Sequence, residues 1–382
     1  MRRHILHVIT CLDVGGAEMA LYRLIREFHG SDYTHTVVSL IPGGGMYRRF
    51  VEAGIGLVVL DVRHSPLSHM LRLVETIRTL RPDIVQTWMY HADFLGGLAA
   101  RLAGNRNVIW GIRTTDVDGG CAPTTATLRR ACAALSRWIP RSIVCVAEAA
   151  RRSHAIIGYD QDRMVVVANG FDLTALRASL AQRDSLRAEC GFGPDDIVLG
   201  TLGRFNLDKD HANFVQAAGR LAGRIPRLRF LMVGKDLLPD NQALMHWIRA
   251  TGQQERFVLL GERSDAAVCL AAMDIFCLSS RTEAFPNVIG EAMAMGLPCV
   301  ATDVGDVGIL MADTGVIVPK ADPEALAGGV ASLVQGGPAY WQQMGRRARD
   351  RIHAVFTMDC ARRRFESIYD NVIAGRNLAC AE

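Results

Sequence analysis

The chain has 382 residues, 49% of them apolar and 21% charged, with a net charge of +4. That length exceeds one ordinary hydrophobic core and predicts two domains of about 150–200 residues. So slight a charge excludes the strong basic stripe of a nucleic-acid binder, and ten cysteines without a Cys-x-x-Cys pair exclude a zinc framework and a disulfide scaffold.

The opening "MRRHILHVITCLDVGGAE" sets two arginines before a short apolar run that His7, Asp13 and Glu18 soon interrupt, so it reads as a first strand and not as a leader. The strand runs into Gly15-Gly16 and a helix, where bare amides can approach an anion; an unliganded Gly-Gly turn is the alternative. The stretch lacks Gly-x-Gly-x-x-Gly, and no acidic residue clearly closes the second strand, which counts against a dinucleotide site and an NAD-dependent oxidoreductase. Strands follow at "HTVVSLI", "LVVLD", "DIVQT", "NVIWGI", "SIVCVA" and "MVVVA", with helical patterns over 66–81 and 92–104. Two strand ends carry polar groups, "QTWMYHADFLGG" (86–97) and "IWGIRTTD" (109–116). His91 reads either as a contact for an acceptor or as part of a helix N-terminal cap region, and Arg113 with Thr114 sets a cation at the strand edge.

Charged residues crowd 173–193, which end in "CGFGPDD" and are expected to link a domain over 1–172 to one over 194–355. The second half repeats the pattern, with strands "DIVLGTLG", "LRFLMVG", "RFVLL", "DIFCLS", "PCVAT" and "GVIV" and helices over 210–225 and 240–253. The Arg-rich terminal helices, about 356–382, are expected to pack back on the first domain. Short buried strands alternating with helices imply right-handed βαβ units, hence two doubly wound parallel sheets whose functional loops lie at the carboxyl ends of the strands and face a cleft. No uncharged apolar segment is long enough to cross a bilayer. Cys145, Cys269, Cys277 and Cys299 lie in apolar runs as small hydrophobes, which fits a reducing cytoplasm.

Two loops of the second half carry the chemistry. In "GTLGRFNLDKDH" (200–211) a strand ends at Gly203, and Arg204 and Lys209 follow. They form either a diphosphate site, Arg as a fork and Lys as a point charge, or a solvated loop neutralised by Asp208 and Asp210. In "SSRTEAFPNVIGEAMAMGLPCVAT" (279–302) Glu283 precedes a helix opened by Pro286-Asn287 and closed by Gly296, and Glu291 lies one turn in. The free amides of about 287–289 suit an anion. A carboxylate beside them can accept from sugar hydroxyls, and the second can chelate a vicinal diol. The alternative is a helix-dipole carboxylate and a solvated one. No Ser/His/Asp arrangement and no metal-ligand spacing is evident, so neither a metal nor a cofactor is expected.

In their order along the chain, "GGAE", "TWMYHADFLGGLAARLAG", "VVVANGFD", "GRFNLDKDH" and "EAFPNVIGEAMAMGLPCVAT" resemble the retaining family 4 glycosyltransferases of the GT-B fold, an α/β architecture of two Rossmann-like domains. The resemblance spans nearly the whole chain, and the E-x7-E element is its most specific part. It implies that Arg204 and Lys209 hold the diphosphate of a nucleotide-sugar donor, UDP-linked by default. Glu283 would lie near the transferred sugar, among Ala284, Phe285, Asn287 and Val288, and Glu291 would bind the ribose. Gly15, Gly16, Gly203, Gly234 and Arg263 are further expected donor contacts. Many members carry a histidine where Arg113 stands. Arginine is no base, so no protein base is assigned, and the resemblance implies a front-side displacement in which the leaving phosphate takes the acceptor proton. The implied acceptor is a glycan, lipid-linked, in bacterial surface polysaccharide synthesis, with the chain cytoplasmic and peripheral at the inner face of the plasma membrane. "MYRRF" (46–50) is a candidate for that contact or an ordinary half-buried helix. A non-hydrolysing UDP-sugar 2-epimerase and a degenerate nucleotide-sugar or glycan binder stay open as alternatives.

Overall fold

A computed structural model describes residues 2–115 and 123–376, which leaves Met1, residues 116–122 and the terminal stretch 377–382 outside the description. The chain divides into two units, residues 1–170 with 358–382, and residues 171–357.

In the first unit, β1 (Arg3–Ile9), α1 (Gly16–Glu27), β2 (Tyr33–Ser39), α2 (Tyr47–Glu52), β3 (Gly56–Val59), α3 (Pro66–Leu80), β4 (Ile84–Trp88), α4 (Tyr90–Leu102), β5 (Val108–Ile112), α5 (Pro123–Leu135), β6 (Ser142–Cys145), α6 (Glu148–Ile156) and β7 (Met164–Val166) follow in order. The strands form a parallel seven-stranded sheet in the order β3-β2-β1-β4-β5-β6-β7. β4 and β5 are buried along their whole length, which is why they read as apolar runs without alternation. Ile5, Ile9, Leu21, Phe28, Phe50 and Trp88 form the core of one face.

The second unit holds α7 (Leu180–Glu189), β8 (Ile197–Leu202), α8 (His211–Ala222), β9 (Leu228–Val233), α9 (Gln242–Ala250), β10 (Phe257–Leu259), α10 (Ala266–Ala271), β11 (Ile275–Leu278), α11 (Asn287–Ala294), β12 (Cys299–Thr302), α12 (Val307–Met311), β13 (Val316–Val318) and α13 (Pro323–Val355). Its six parallel strands run β10-β9-β8-β11-β12-β13. Strand order reverses between β1 and β4 in one sheet and between β8 and β11 in the other. An open α/β sheet splays its loops at such a point, and ligands bind there.

Residues 173–193, expected as a linker, belong instead to the second unit. Ser179 and Gln182 form a capping box that starts α7, and the buried Arg187 ties the helix down through Asp274 (3.0 Å) and the carbonyls of Ala272 and Asp196. The charges of this segment include a structural cation, which composition alone reads as solvated. The terminal α14 (Met358–Ile373) belongs to the first unit and packs on α1 and β4, where Tyr369 donates to Gln86 at 2.6 Å. The long α13 is kinked at Gly337-Pro338 and stays in the second unit.

Candidate functional site

In the second unit the loops after β8 and β11 close on each other across the switch point. Asn206 accepts from the amide of Lys209 at 3.0 Å, and Ser279 donates to the Lys209 carbonyl at 2.9 Å. Clamped at both ends of its peptide, Lys209 reaches Glu283, whose Oε1 accepts from Nζ at 2.5 Å and from Ser280 Oγ at 2.7 Å. Thr302, at the end of β12, donates to the Ser280 carbonyl at 2.7 Å, so three adjacent strand ends fix one carboxylate. The Lys209 and Glu283 side chains are 24% and 13% exposed, which leaves this pair partly open to solvent.

The solvated-loop alternative for Arg204 and Lys209 required Asp208 and Asp210 to neutralise both. Asp210 instead caps α8 and pairs with Arg281 at 2.7 Å, and the exposed Asp208 carboxylate accepts from Asn206 Nδ2 at 3.4 Å and makes no ion pair among the described residues. Arg204 is exposed, and its side chain has no partner among the described residues. Two cations thus stand at the end of β8 with a single carboxylate, Glu283, answering Lys209.

The backbone around them leaves no room for side chains. Gly234, at φ +152°, lies so close to Gly203 that a Cβ would stand 2.1 Å from the Gly203 carbonyl oxygen. Its amide donates to the Gly261 carbonyl at 2.7 Å, which joins the ends of β8, β9 and β10. Gly305, at φ +54°, presses on the other side, where a Cβ would stand 2.3 Å from the Glu283 carbonyl oxygen. The Asp306 amide donates to the Ala284 carbonyl at 3.0 Å. Pro286 opens α11 without a side-chain cap, so the first-turn amide of Val288 keeps its donor character. Phe285 is buried between Phe171 and Phe356, with ring centroids 6.1 and 5.8 Å away. Glu291 sits half-buried in the second turn of α11. Arg263 is held by Asp265 through two bonds of 2.8 and 2.6 Å, which raise its pKa and lower that of Asp265. His211 stacks on Phe205 and is driven down to about 4 by burial, so it is neutral.

In the first unit, Gly15 and Gly16 open α1, and a side chain at Gly15 would strike the Glu18 carboxylate. Burial raises the Glu18 pKa, with Asp13 contributing; an anion approaching these amides meets that carboxyl first. His91 lies in the first turn of α4, half-buried, its pKa lowered by burial. Arg113 stacks 4.9 Å over the Trp88 ring and donates to Asn169 Oδ1 at 2.6 Å. Burial draws its pKa down to about 10, so the guanidinium stays charged near neutrality. In α2, Met46 at the cap and Phe50 are buried, while Tyr47, Arg48, Arg49 and Val51 are exposed. Among the described residues no helix is long and apolar enough to span a membrane, and no three His, Cys, Asp or Glu side chains converge as a metal set.

Sequence reasoning passed over Ser280, Thr302, Gly305, Asn206 and Asn169. Four act through a carbonyl, an amide or a neighbouring carboxylate and Asn169 through the Arg113 guanidinium, and only Gly305, in the short loop "TDVGD" after a strand, carried a signal that spacing could have exposed.

Two family models match this chain, Glycosyltransferase Family 4 over residues 14–175 and Glycosyl transferases group 1 over residues 196–336. D-inositol 3-phosphate glycosyltransferase of Rhodococcus erythropolis is 32% identical over 203 residues, 51% of this chain and 46% of that protein. A UDP-Gal:alpha-D-GlcNAc-diphosphoundecaprenol alpha-1,3-galactosyltransferase of Escherichia coli is 25% identical and matches over 62% of each chain. The matched segment thus spans about half the length of the first of these relatives. Among solved structures, Anabaena HepE in complex with UDP superposes with a TM-score of 0.85 at 19% identity, over 96% of this chain and 100% of that one.

Proposed function

The chain belongs to the group 1, family 4 glycosyltransferases, and from that premise we propose that it moves a hexose or N-acetylhexosamine from a UDP-sugar to a hydroxyl of a lipid-linked glycan, with retention and without a metal. The observation that carries this reading is the Lys209–Glu283 pair, fixed by three strand ends at a sheet switch point beside the uncapped start of α11. Arg204 and Lys209 supply the positive charge for the diphosphate. As a phosphate oxygen takes over Lys209 Nζ, Glu283 Oε1 becomes free to accept from a sugar hydroxyl, and the first-turn amides of α11 face the same anion. Glu291 holds the ribose diol.

The reaction breaks the anomeric carbon–phosphate oxygen bond and forms a bond from the same carbon to the acceptor oxygen on the same face. The acceptor proton passes to the departing phosphate oxygen. The protein's part is positioning and charge, terms that supply much of the barrier reduction when no covalent step is made. Arg113, carried on the first unit, steadies the leaving phosphate, and His91 contacts the acceptor. A lipid-linked acceptor is supported by the Escherichia coli relative, whose name specifies a diphosphoundecaprenol substrate. The exposed Tyr47, Arg48, Arg49 and Val51 give α2 a face suited to an anionic bilayer.

Glu283→Gln tests the assignment. It keeps the size of the side chain and removes the charge, so turnover of UDP-glucose, UDP-galactose or UDP-N-acetylglucosamine should fall by about 10²-fold or more while the Kd for UDP changes less than about threefold. Equal losses in both would refute the role. The anomeric configuration of the product, read by proton NMR, decides retention.

A further inference from the structure

Asp93 is a buried group that the proposed mechanism does not use and that ties two strand ends to a helix start. It lies in the first turn of α4, fully buried. Its Oδ1 accepts from Thr87 Oγ1 at 2.5 Å, at the end of β4, and from the Gly111 amide at 3.2 Å, near the end of β5. The Gly111 carbonyl accepts from the Met89 amide at 2.9 Å, and the Met89 carbonyl accepts from the Asp93 amide at 2.8 Å. These last three bonds close a ring through Asp93, Gly111 and Met89. Met89 needs such restraint, because at φ +73° and ψ 162° it occupies a region that only glycine enters at ease.

Two functional candidates hang from this ring. His91 follows Met89 by two residues, and Arg113 follows Gly111 by two, so the position of each depends on the closed hydrogen-bond circuit. We propose that Asp93 is a positioning residue for transfer, holding Arg113 and His91 in register by locking the end of β5 to the strained turn before α4. The proposal rests on the reading above that Arg113 and His91 serve the reaction.

The chemistry of the pocket says which form of Asp93 does this. Its Oδ2 is buried and without a partner, and burial raises its pKa to about 8. The neutral acid, with its proton on Oδ2, therefore fits the site near neutral pH. Cys132 of α5, Cys145 of β6 and Tyr159 face the same pocket, and each is pushed further up by burial, Cys145 to about 12. His154 of α6, bonded to Tyr90 at 2.6 Å, is lowered to about 4. Among the cations of the surrounding elements, Arg113, after β5, keeps its charge to about 10, and Arg129, buried in α5, acts on His154. Among these groups, Asp93 is the one that changes charge near pH 8; Oδ1 accepts from Thr87 and Gly111 in either form, and ionisation adds a charge on the unpartnered Oδ2 whose burial strains the ring.

The experiment uses the full chain, with UDP-glucose as the probe and UDP release as the readout between pH 6 and 9.5. It compares wild type, Asp93→Asn, Asp93→Ala and Arg113→Ala, with hydrogen exchange of peptides covering 86–95 and 108–115 measured in parallel. Asp93→Asn should keep turnover within about threefold at pH 7, preserve slow exchange, and abolish the alkaline decline near pH 8. Asp93→Ala should lower kcat by about tenfold with KM for UDP-glucose within about twofold, and speed exchange in both peptides. An alkaline decline that survives in Asp93→Asn, or slow exchange that survives in a folded Asp93→Ala protein, would overturn the proposal; if Asp93→Ala does not fold, the Asn profile decides alone. Unchanged turnover in Arg113→Ala instead overturns the reading of Arg113, and the exchange data still report whether Asp93 locks the strand.

Discussion

Glu283 and Lys209 answer each other's charge at 2.5 Å, and this sets what each substitution does. Removing Lys209 leaves a carboxylate facing the position assigned to the diphosphate, so Lys209→Ala should weaken UDP binding more than Arg204→Ala, whose exposed guanidinium has no such partner. Isothermal titration with UDP checks the order, and a larger loss in Arg204→Ala would reverse the assignment of the inner cation. Asp93 makes a separate prediction for stability. Its folded pKa of about 8 lies above its unfolded value, so the folded state retains a proton that the unfolded chain has released. Stability must then fall as pH rises from the unfolded pKa, near 4, to about 8, and level off above it. Asp93→Asn removes this dependence, so its melting temperature relative to wild type should climb from pH 5 to pH 8. A constant difference across that range would contradict it.

At the level of elements, the site is built by loops pressing on one another after parallel strands. Gly305 is the tightest such point, with positive φ and no room for a Cβ against the Glu283 and Ala284 carbonyls. Gly305→Ala should cost roughly 1–3 kcal/mol, lowering Tm by about 3–10 °C, and should reduce turnover because it shifts the backbone that carries Glu283. Gly308, in α12, has open space where a methyl group would go, with nothing within 4 Å, and serves as the control; Gly308→Ala should be neutral in both assays. Equal behaviour of the two variants would remove Gly305 from the site. The strands and the loops that bear charge were legible in the sequence because apolar runs and Gly, Pro and Arg/Lys at strand ends are local signals. α11 begins at Asn287, directly after Pro286, as its sequence implied. The supports were not legible. Thr302 reaches Ser280 across 22 residues and Asp93 reaches Gly111 across 18, distances over which no periodicity operates. The helix over 180–189 was hidden for another reason, since its buried face includes an arginine, and Arg187 is satisfied by groups distant in sequence.

Across the whole molecule, the same device is used twice. Each unit is a parallel sheet whose strand order reverses once; the second places Arg204, Lys209 and Glu283 after the strands that flank its reversal, and the first places Gly15, Gly16 and His91 there, with Arg113 one strand further on, after β5. On the reading proposed above, the second unit offers Arg204, Lys209 and α11 to a diphosphate, and the first carries His91 and Arg113. The central claim is that Arg204 and Lys209 form a diphosphate site, and a thermal-shift panel of UDP, GDP, ADP and CMP, with magnesium and with EDTA, tests it most directly. At 100 times Kd, a ligand that binds only the folded protein adds about 2.7 kcal/mol, or about 5–10 °C in Tm for a unit of this size. UDP should give that shift with or without EDTA, and the Arg204→Ala, Lys209→Ala double variant should lose it. A panel in which no diphosphate shifts Tm, or in which the double variant shifts as wild type does, would contradict the account.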